Sequence, residues 1–278
     1  MAFDCSHGLS FPRHLSLEGV IMDLLLLSNS RSPDGSYLVH AVAEIAAIAA
    51  GRRRALFVPF ASVTVAWEAF AAQVRAVFAQ ASIAIESIDA EPEALAAVAA
   101  AEMVVVGGGN TFHLLRECRR RGLLAPIAAR ARAGTPYIGW SAGANLACPT
   151  IATTNDMPIV DPHGLDALGL IDFQINPHFT NALPPGHQGE TREQRIAEYL
   201  KTNPQRCVIG LPEGDWLRVT DNAAVLGGPH AAPVFRAGEP PSPQAVRKRG
   251  GIAACAARMS VTSQPRWPEA DKAGKLLK

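Results

Sequence analysis

The sequence predicts an α/β fold, built on a mostly parallel sheet that is flanked by helices. From Met22 onward, short apolar runs rich in β-forming residues alternate with helical patterns, which is typical of parallel sheets. The predicted strands occupy residues 24–28, 55–60, 83–88, 103–106, 136–140, 171–175 and 207–211. The segment after Val219 contains Gly227-Gly228-Pro229 and Pro233-Val234-Phe235, and it predicts the short antiparallel strands that commonly finish such sheets.

Apolar residues at helical spacing mark two of the helices between these strands. The first stripe consists of Leu38, Val42, Ile45 and Ile48, and the second of Trp67, Phe70, Val74 and Val77. Such stripes are typical of helix faces that pack on a sheet, so both are predicted to belong to the core.

Residues 22–238 are predicted to form a single α/β domain. The 278 residues, 48% of them hydrophobic, suffice for the core of one large domain or two modest ones, and no linker divides them. Residues 1–21 lack clear periodicity and form a predicted leader, with Met22 as an alternative start. Residues 239–278 begin with a proline-rich run and are predicted to form a low-order tail.

The charge balance points to a small-molecule substrate. The formal net charge is +1, and 18% of the residues are charged. No general basic field would therefore draw the chain to nucleic acid or to an anionic membrane.

The cysteines and the chain start predict a cytoplasmic location. The five cysteines form no CxxC pair or other metal spacing, and their odd number argues against a closed disulfide framework. No apolar run reaches the roughly 20 residues that a membrane helix needs. The start also lacks a charged region followed by an apolar stretch, so we expect no export.

Ser141 is the predicted nucleophile of a serine hydrolase. It stands in the segment Gly139-Trp140-Ser141-Ala142-Gly143, a G-x-S-x-G pattern between a predicted strand and a helix-compatible segment. In such a nucleophile elbow, the flanking glycines remove Cβ clashes and the helix N-terminus favours developing negative charge. The alternative is a serine that only caps a helix.

A run of three glycines, Gly107-Gly108-Gly109, separates the strand at 103–106 from the next helical pattern. It lacks the Lys-Ser/Thr of a P-loop and the spacing of a dinucleotide fingerprint. The N–H of Gly108 or Gly109, together with that of Ala142, is predicted to form an oxyanion hole. Asn110 follows this run, and it either caps the helix or takes part in the site.

His178 is the predicted general base among eight histidines. It directly follows the rigid Asn176-Pro177 at the end of a probable strand, where sites of open α/β sheets lie. A serine hydroxyl is a weak nucleophile until a nearby base takes its proton, which histidine does near neutral pH.

Two carboxylates are candidates for the acid that orients this histidine. Glu213 follows an apolar strand and stands between a proline and a glycine, which suits a group with a fixed position. Asp156, in Thr154-Asn155-Asp156-Met157, is the second candidate, and it either orients the imidazole, caps local backbone or binds substrate. The sequence favours Glu213 but leaves both open.

Arg192 is a candidate anion-binding residue. Thr191 and Gln194 form a capping box, which places Arg192 in the first turn of a helix. A cation there opposes the helix dipole, a mild cost that makes sense if Arg192 binds a substrate carboxylate. The alternative is an exposed arginine paired with Glu190 or Glu193.

Five segments carry a family resemblance: GGGNTF at 107–112, GWSAGANLA at 139–147, TNDMPIV at 154–160, INPHFT at 175–180 and LPEG at 211–214. Together they resemble the peptidase E family, the α-aspartyl dipeptidases classed as S51 serine peptidases. The resemblance runs from about Met22 to Gly238, and the segments stand in the family's order. It implies a class I glutamine-amidotransferase-like fold and cleavage of dipeptides with an N-terminal aspartate, without a cofactor or metal.

The same resemblance assigns roles by position. It implies that Ser141 is the nucleophile and His178 the base, while Asp156 and Glu213 both match places proposed for the third member. Asn110 and Arg192 match positions expected to bind the aspartyl end of the substrate.

Two other functions fit parts of the pattern. An α/β-hydrolase esterase shares G-x-S-x-G, but its histidine follows the acid, whereas His178 precedes Glu213. A non-catalytic module on the same scaffold would bind an acidic metabolite at Arg192 and would not need Ser141.

Overall fold

The computed structural model describes residues 21–186, 188–221 and 223–244. These residues form the strands β1 (Asp23–Leu27), β2 (Arg54–Val58), β3 (Ala84–Ser87), β4 (Val104–Val106), β5 (Tyr137–Trp140), β6 (Gln174–Pro177), β7 (Cys207–Leu211), β8 (Trp216–Thr220), β9 (Ala223–Gly227), β10 (Ala232–Arg236) and β11 (Ser242–Gln244). Their helices are α1 (Val42–Ala49), α2 (Trp67–Phe78), α3 (Ala94–Ala100), α4 (Thr111–Arg120), α5 (Leu124–Arg132), α6 (Ala142–Leu146) and α7 (Arg192–Thr202). Short 3-10 turns lie at Val39–Ala41, Ala79–Ala81 and Ile88–Ala90.

The main sheet has seven strands in the order β3-β2-β4-β5-β1-β8-β9. Strands β1 to β5 pair in parallel, and β8 and β9 add two antiparallel strands at one edge. Because the carboxyl ends of parallel strands meet at one edge of a sheet, the residues after β1, β4 and β5 lie close together. This arrangement brings Ser28, the Gly107-Gly108-Gly109 loop and Ser141 to the same edge.

Alternate residues of the main sheet are buried on opposite faces. In β1, Leu24 and Leu26 lie in one apolar cluster, whereas Leu25 and Leu27 lie in the other. Two-sided burial explains why the parallel strands appear as continuous apolar runs in the sequence.

Both predicted helix stripes pack as expected, which confirms them as parts of the core. The fully or almost fully buried members are Leu38, Ile45, Ile48, Phe70, Val74 and Val77. Val42 and Trp67 are partly buried and pack against the two clusters.

A second, four-stranded sheet has the order β11-β10-β7-β6. The sequence suggested a single sheet, so the separation of β6 and β7 from the parallel strands differs from expectation. The strand predicted at 171–175 also begins later, at Gln174. The segment just before it is bound to the end of α6, since the N–H groups of Leu168 and Leu170 donate to the carbonyls of Leu146 and Ala147.

The short antiparallel strands predicted near the C-terminus are confirmed. Strand β9 pairs antiparallel with β8, and β10 pairs antiparallel with β7. Strand β11 lies beyond Gly238, where the predicted domain ends. Residues 1–20 of the predicted leader and residues 245–278 of the predicted tail lie outside the described residues, and the domain boundaries stay predictions.

In the described part of the chain, no helix has the length and apolar character needed to cross a membrane.

Cys118 and Cys148 are free and buried, and burial raises the pKa of each thiol to about 12.

Candidate active site

Ser141 occupies a strained turn between β5 and α6. Its backbone angles are φ 52° and ψ −112°, which few residues other than glycine adopt. Two backbone hydrogen bonds hold it there: its N–H donates to the Leu27 carbonyl at 3.0 Å, and its carbonyl accepts from the Asn145 N–H at 2.9 Å.

The glycine at the end of the pattern is required by close backbone packing. A Cβ at Gly143 would lie 2.2 Å from the carbonyl oxygen of Val106. The start of α6 is therefore seated directly on the end of β4, which brings Ser141 close to the glycine loop.

His178 follows β6 and has an unusual positive φ of 54°. Its N–H donates to the Ser28 hydroxyl at 2.9 Å, and that hydroxyl donates to the Leu211 carbonyl at 2.8 Å. The N–H of Phe179 donates to the same carbonyl at 3.0 Å. Ser28 thus ties β1 of the main sheet to β6 and β7 of the second sheet at the histidine.

A continuous chain of hydrogen bonds joins Ser141, His178 and Glu213. The His178 Nε2 lies 3.0 Å from the Ser141 Oγ, and the His178 Nδ1 lies 2.6 Å from the Glu213 Oε1. The side chains of His178 and Glu213 are 39% and 63% exposed, so water reaches the histidine–carboxylate pair. The structure brings the predicted nucleophile and base together with the favoured one of the two acids.

The position of Glu213 is fixed by the turn that follows β7. The N–H of Gly214 donates to the Asn29 Oδ1 at 2.8 Å, and Asn29 is almost completely buried. Sequence reasoning missed Asn29 and Ser28. Both residues stand directly after the strand β1, and this position in the sequence could have indicated them. Polar residues that are buried there need specific hydrogen-bond partners.

Asp156 forms no hydrogen bond or ion pair with His178 among the described residues. Its Oδ2 accepts hydrogen bonds from the Thr111 N–H at 2.7 Å and from the Thr154 hydroxyl at 3.1 Å, and also from the Thr111 hydroxyl. The carboxylate is therefore bound at the N-terminus of α4, where the exposed N–H groups and the helix dipole favour an anion.

The glycine loop abuts Ser141 and exposes donors. A Cβ at Gly108 would lie 3.1 Å from the Ser141 Cβ, and Gly109 has φ 138° with only 2.3 Å between its ideal Cβ and the Ala61 carbonyl oxygen. The N–H groups of Gly108 and Gly109 have no acceptor among the described residues, and Ala142 is the first residue of α6, so its N–H has no helical acceptor.

Asn110 caps α4. Its Oδ1 accepts from the His113 N–H at 3.0 Å, and its Nδ2 donates to the Met157 carbonyl at 2.9 Å. Both ends of the side-chain amide thus have protein partners, as expected for a residue that caps the helix. A contribution of Asn110 to substrate binding stays a prediction.

Arg192 begins α7 behind the predicted capping box, which is fully formed. Its side chain is half-buried and has no hydrogen bond or ion pair within the described residues. Glu190 pairs with Arg195 instead, since the Arg195 Nη2 lies 3.6 Å from the Glu190 Oε2. Burial lowers the pKa of Arg192, and Arg195 lowers it further, while the nearby Asp156 raises it. Arg192 and Asp156 line the same cavity of about 160 Å³.

This geometry defines the class of protein as a serine hydrolase, with its site at the carboxyl edge of a mostly parallel sheet. The model of peptidase family S51 matches residues 24–227. The chain belongs to peptidase family S51, and it is a serine-type peptidase.

Similar proteins extend over most of the chain. Peptidase E of Citrobacter koseri is 59% identical over 218 residues, which cover 78% of this chain and 95% of that protein. Peptidase E of Salmonella newport and that of Escherichia coli O6:K15:H31 are each 58% identical over the same length and with the same coverage. The predicted family is confirmed.

Two solved structures share the fold. A candidate peptidase E of Listeria monocytogenes EGD-e is 24% identical with a TM-score of 0.57, and the match covers 75% of this chain and 99% of that chain. A peptidase from an acI-B1 Actinobacterium is 16% identical with a TM-score of 0.59, and the match covers 80% and 97%. Both matches agree with the predicted α/β fold, a mostly parallel sheet that is flanked by helices.

Proposed function

We propose that the chain hydrolyses dipeptides with an N-terminal aspartate through an acyl-enzyme on Ser141. The observation that carries the proposal is the chain of hydrogen bonds from Ser141 through His178 to Glu213. Membership of peptidase family S51 supports the same reaction.

In the first step, the His178 Nε2 takes the hydroxyl proton of Ser141 as its Oγ attacks the carbonyl carbon of the aspartyl residue. The imidazolium that forms is stabilised by Glu213, which also keeps the Nδ1–H in place and so selects the tautomer with Nε2 free. We assign the orienting acid to Glu213, because Asp156 makes its hydrogen bonds to Thr111 and Thr154.

The negative charge of the tetrahedral intermediate lies on the former carbonyl oxygen. The N–H groups of Ala142 and of Gly108 or Gly109 supply donors beside Ser141 that have no other acceptor. Donors that are fixed before the reaction need no reorganisation when the charge develops, which makes them effective in catalysis.

The intermediate then collapses, and the bond from the carbonyl carbon to the leaving nitrogen breaks. His178 gives its proton to that nitrogen, and the second amino acid leaves. A water molecule, deprotonated by His178, then attacks the ester and releases aspartate, which restores Ser141.

Selection of aspartate is assigned to Arg192. Its guanidinium is half-buried and lacks a counter-charge that contacts it, so a substrate carboxylate would supply its partner. Substrates without this carboxylate would leave the cation unpaired and would bind more weakly.

Asp156 is assigned a positioning role between the Arg192 cavity and the oxyanion loop. It lines that cavity, and its Oδ2 binds the Thr111 N–H immediately after Asn110. Through these contacts it sets the distance between the aspartate-binding side chain and the glycine loop.

The finer expectations on partners and location belong to the same proposal. The only partner proposed is the peptide substrate, with no nucleic acid, membrane or cofactor taking part. The location is proposed to be cytoplasmic. Fractionation of cells that express the tagged chain tests this location.

The reaction is tested with purified protein and a set of four substrates: Asp-Leu, Glu-Leu, Ala-Leu and a short acyl ester. We expect release of leucine from Asp-Leu alone, and no release by the Ser141→Ala variant, whose fold is checked by circular dichroism. Ester turnover without dipeptide cleavage, or activity that survives in Ser141→Ala, would overturn the proposal.

A further inference from the structure

A second and larger cavity lies beside the histidine of the proposed triad. Its volume is about 650 Å³, and His178 and Glu213 form part of its wall. Residues 29–33, which follow β1, form another part, and Pro229 and His230 also line it. None of its lining residues lines the Arg192 cavity, so the two cavities are separate.

The side of the site on which a cavity lies determines which half of a dipeptide it receives. His178 must give its proton to the leaving nitrogen, so the amino acid attached to that nitrogen lies on the histidine side. In a dipeptide this leaving residue carries the free C-terminal carboxylate. A cation on this side, in addition to the one that binds the aspartyl side chain, would favour a dipeptide over a longer peptide.

Arg31 supplies such a cation in the cavity wall. Its Nη1 donates only to the Gly35 carbonyl, at 3.3 Å, and its guanidinium lies 5.6 Å from the centre of the Tyr37 ring. Among the described residues, no carboxylate forms an ion pair with it. Arg31 is exposed, and these two contacts restrain its guanidinium while leaving most of its donors available.

The two other basic side chains of the cavity are less suited to this task. Burial lowers the pKa of His40, which favours its neutral form. His230 already has a carboxylate partner, because its Nδ1 lies 3.3 Å from the Oδ1 of the buried Asp215. Arg31 is the one side chain here that combines a permanent charge with the lack of a counter-ion in the described part of the chain.

We propose that this cavity receives the leaving amino acid and that Arg31 binds its C-terminal carboxylate. The inference rests on the proposed function, since it assumes a dipeptide cleaved at Ser141. A volume of about 650 Å³ is ample for one amino acid side chain, so the cavity selects weakly among leaving residues. Selection acts on chain length instead, because a longer peptide has a neutral amide where the dipeptide has its carboxylate.

The test compares Asp-Leu with its C-terminal amide, Asp-Leu-NH₂, in the wild-type chain and in the Arg31→Met, Arg31→Lys and Arg116→Met variants. Arg116 is an exposed arginine of α4 outside both cavities, so Arg116→Met controls for the loss of one positive charge. The same two peptides are titrated by calorimetry into each protein carrying Ser141→Ala, which reports binding without turnover.

We expect the wild-type chain and Arg116→Met to prefer the free acid by about tenfold in kcat/KM and in affinity. In Arg31→Met this preference should fall to about twofold or less, because kcat/KM for Asp-Leu decreases while kcat/KM for the amide stays the same. Arg31→Lys should restore part of it.

The outcomes separate the inference from the function on which it rests. If the chain cleaves Asp-Leu but the wild type does not prefer it to Asp-Leu-NH₂, the role of Arg31 is overturned and the peptidase proposal stays intact. The same holds if the preference for the free acid survives in Arg31→Met. Binding preference that depends on Arg31 without any cleavage would support the carboxylate site and overturn the peptidase proposal.

Discussion

Replacement of Glu213 by glutamine removes one charge from the proposed triad and keeps its shape. The glutamine oxygen can still accept the Nδ1–H of His178, so the variant loses mainly the stabilisation of the imidazolium. A hydrogen bond to a charged group contributes about 1.5–3 kcal/mol in proteins. Because the two side chains are 39% and 63% exposed, water screens the pair, and we take the lower part of this range, about 1.5–2 kcal/mol.

This loss corresponds to a decrease of about 10- to 30-fold in kcat for Asp-Leu. The matched variant is Asp156→Asn, which removes a carboxylate that contacts Thr111 and Thr154 instead of His178. It should act mainly on KM, through the Arg192 cavity. Steady-state kinetics of both variants, with folding checked by thermal unfolding, give the comparison. If Glu213→Gln retains kcat within about threefold of the wild type, or if Asp156→Asn loses more kcat, the assignment of the acid is refuted.

Three further predictions address substrate selection and stability. Arg192→Met should raise KM for Asp-Leu by about 10- to 100-fold, because a charged hydrogen bond to the substrate is lost. The control is Lys201→Met, on the exposed side of α7, which should leave KM unchanged. Equal effects of the two variants in steady-state kinetics would contradict this prediction. Gly143→Ala places a Cβ 2.2 Å from a backbone oxygen and should lower the free energy of unfolding by about 3 kcal/mol. The control is Gly122→Ala, whose Cβ would meet no other atom and which should cost about 1 kcal/mol. Urea unfolding measures both losses, and similar values would refute the close packing at Gly143. Burial raises the pKa of Asp215, so the stability that its neutral form contributes is present below the ordinary value of 3.8 and is lost as the pH rises through the raised pKa. Asp215→Asn cannot ionise, so its stability relative to the wild type should rise as the pH rises above 3.8. A difference that stays constant or falls with pH in urea unfolding would contradict this.

The parallel core of the fold was predictable from the sequence because two-sided burial leaves a strong signal. Strands such as β5 and β7 are continuous apolar runs that end in glycine, serine or proline motifs. The separation into two sheets left no such signal. The apolar residues before β6 resemble a strand by composition, but they follow a segment whose N–H groups, those of Leu168 and Leu170, bind the end of α6.

The site was predictable as far as its residues follow strands. Ser141, His178 and Glu213 each come directly after or close to the end of a strand, so their chemistry and place could be inferred together. The choice between Glu213 and Asp156 depended on distances across the two sheets, which one chain without a structure does not specify. Ser28 and Arg31 also escaped prediction, because a single polar residue after a strand is common and its partners come from distant segments.

The central claim is that Ser141 carries the aspartyl group during the reaction, and trapping of the acyl-enzyme tests it most directly. The wild-type chain and Ser141→Ala are mixed with an activated aspartyl ester, quenched in acid within the first turnover, digested and analysed by mass spectrometry. We predict one aspartyl residue added to the peptide that contains Ser141 in the wild type, and none in the variant. An aspartyl label on another residue, or the same label in Ser141→Ala, would contradict the account.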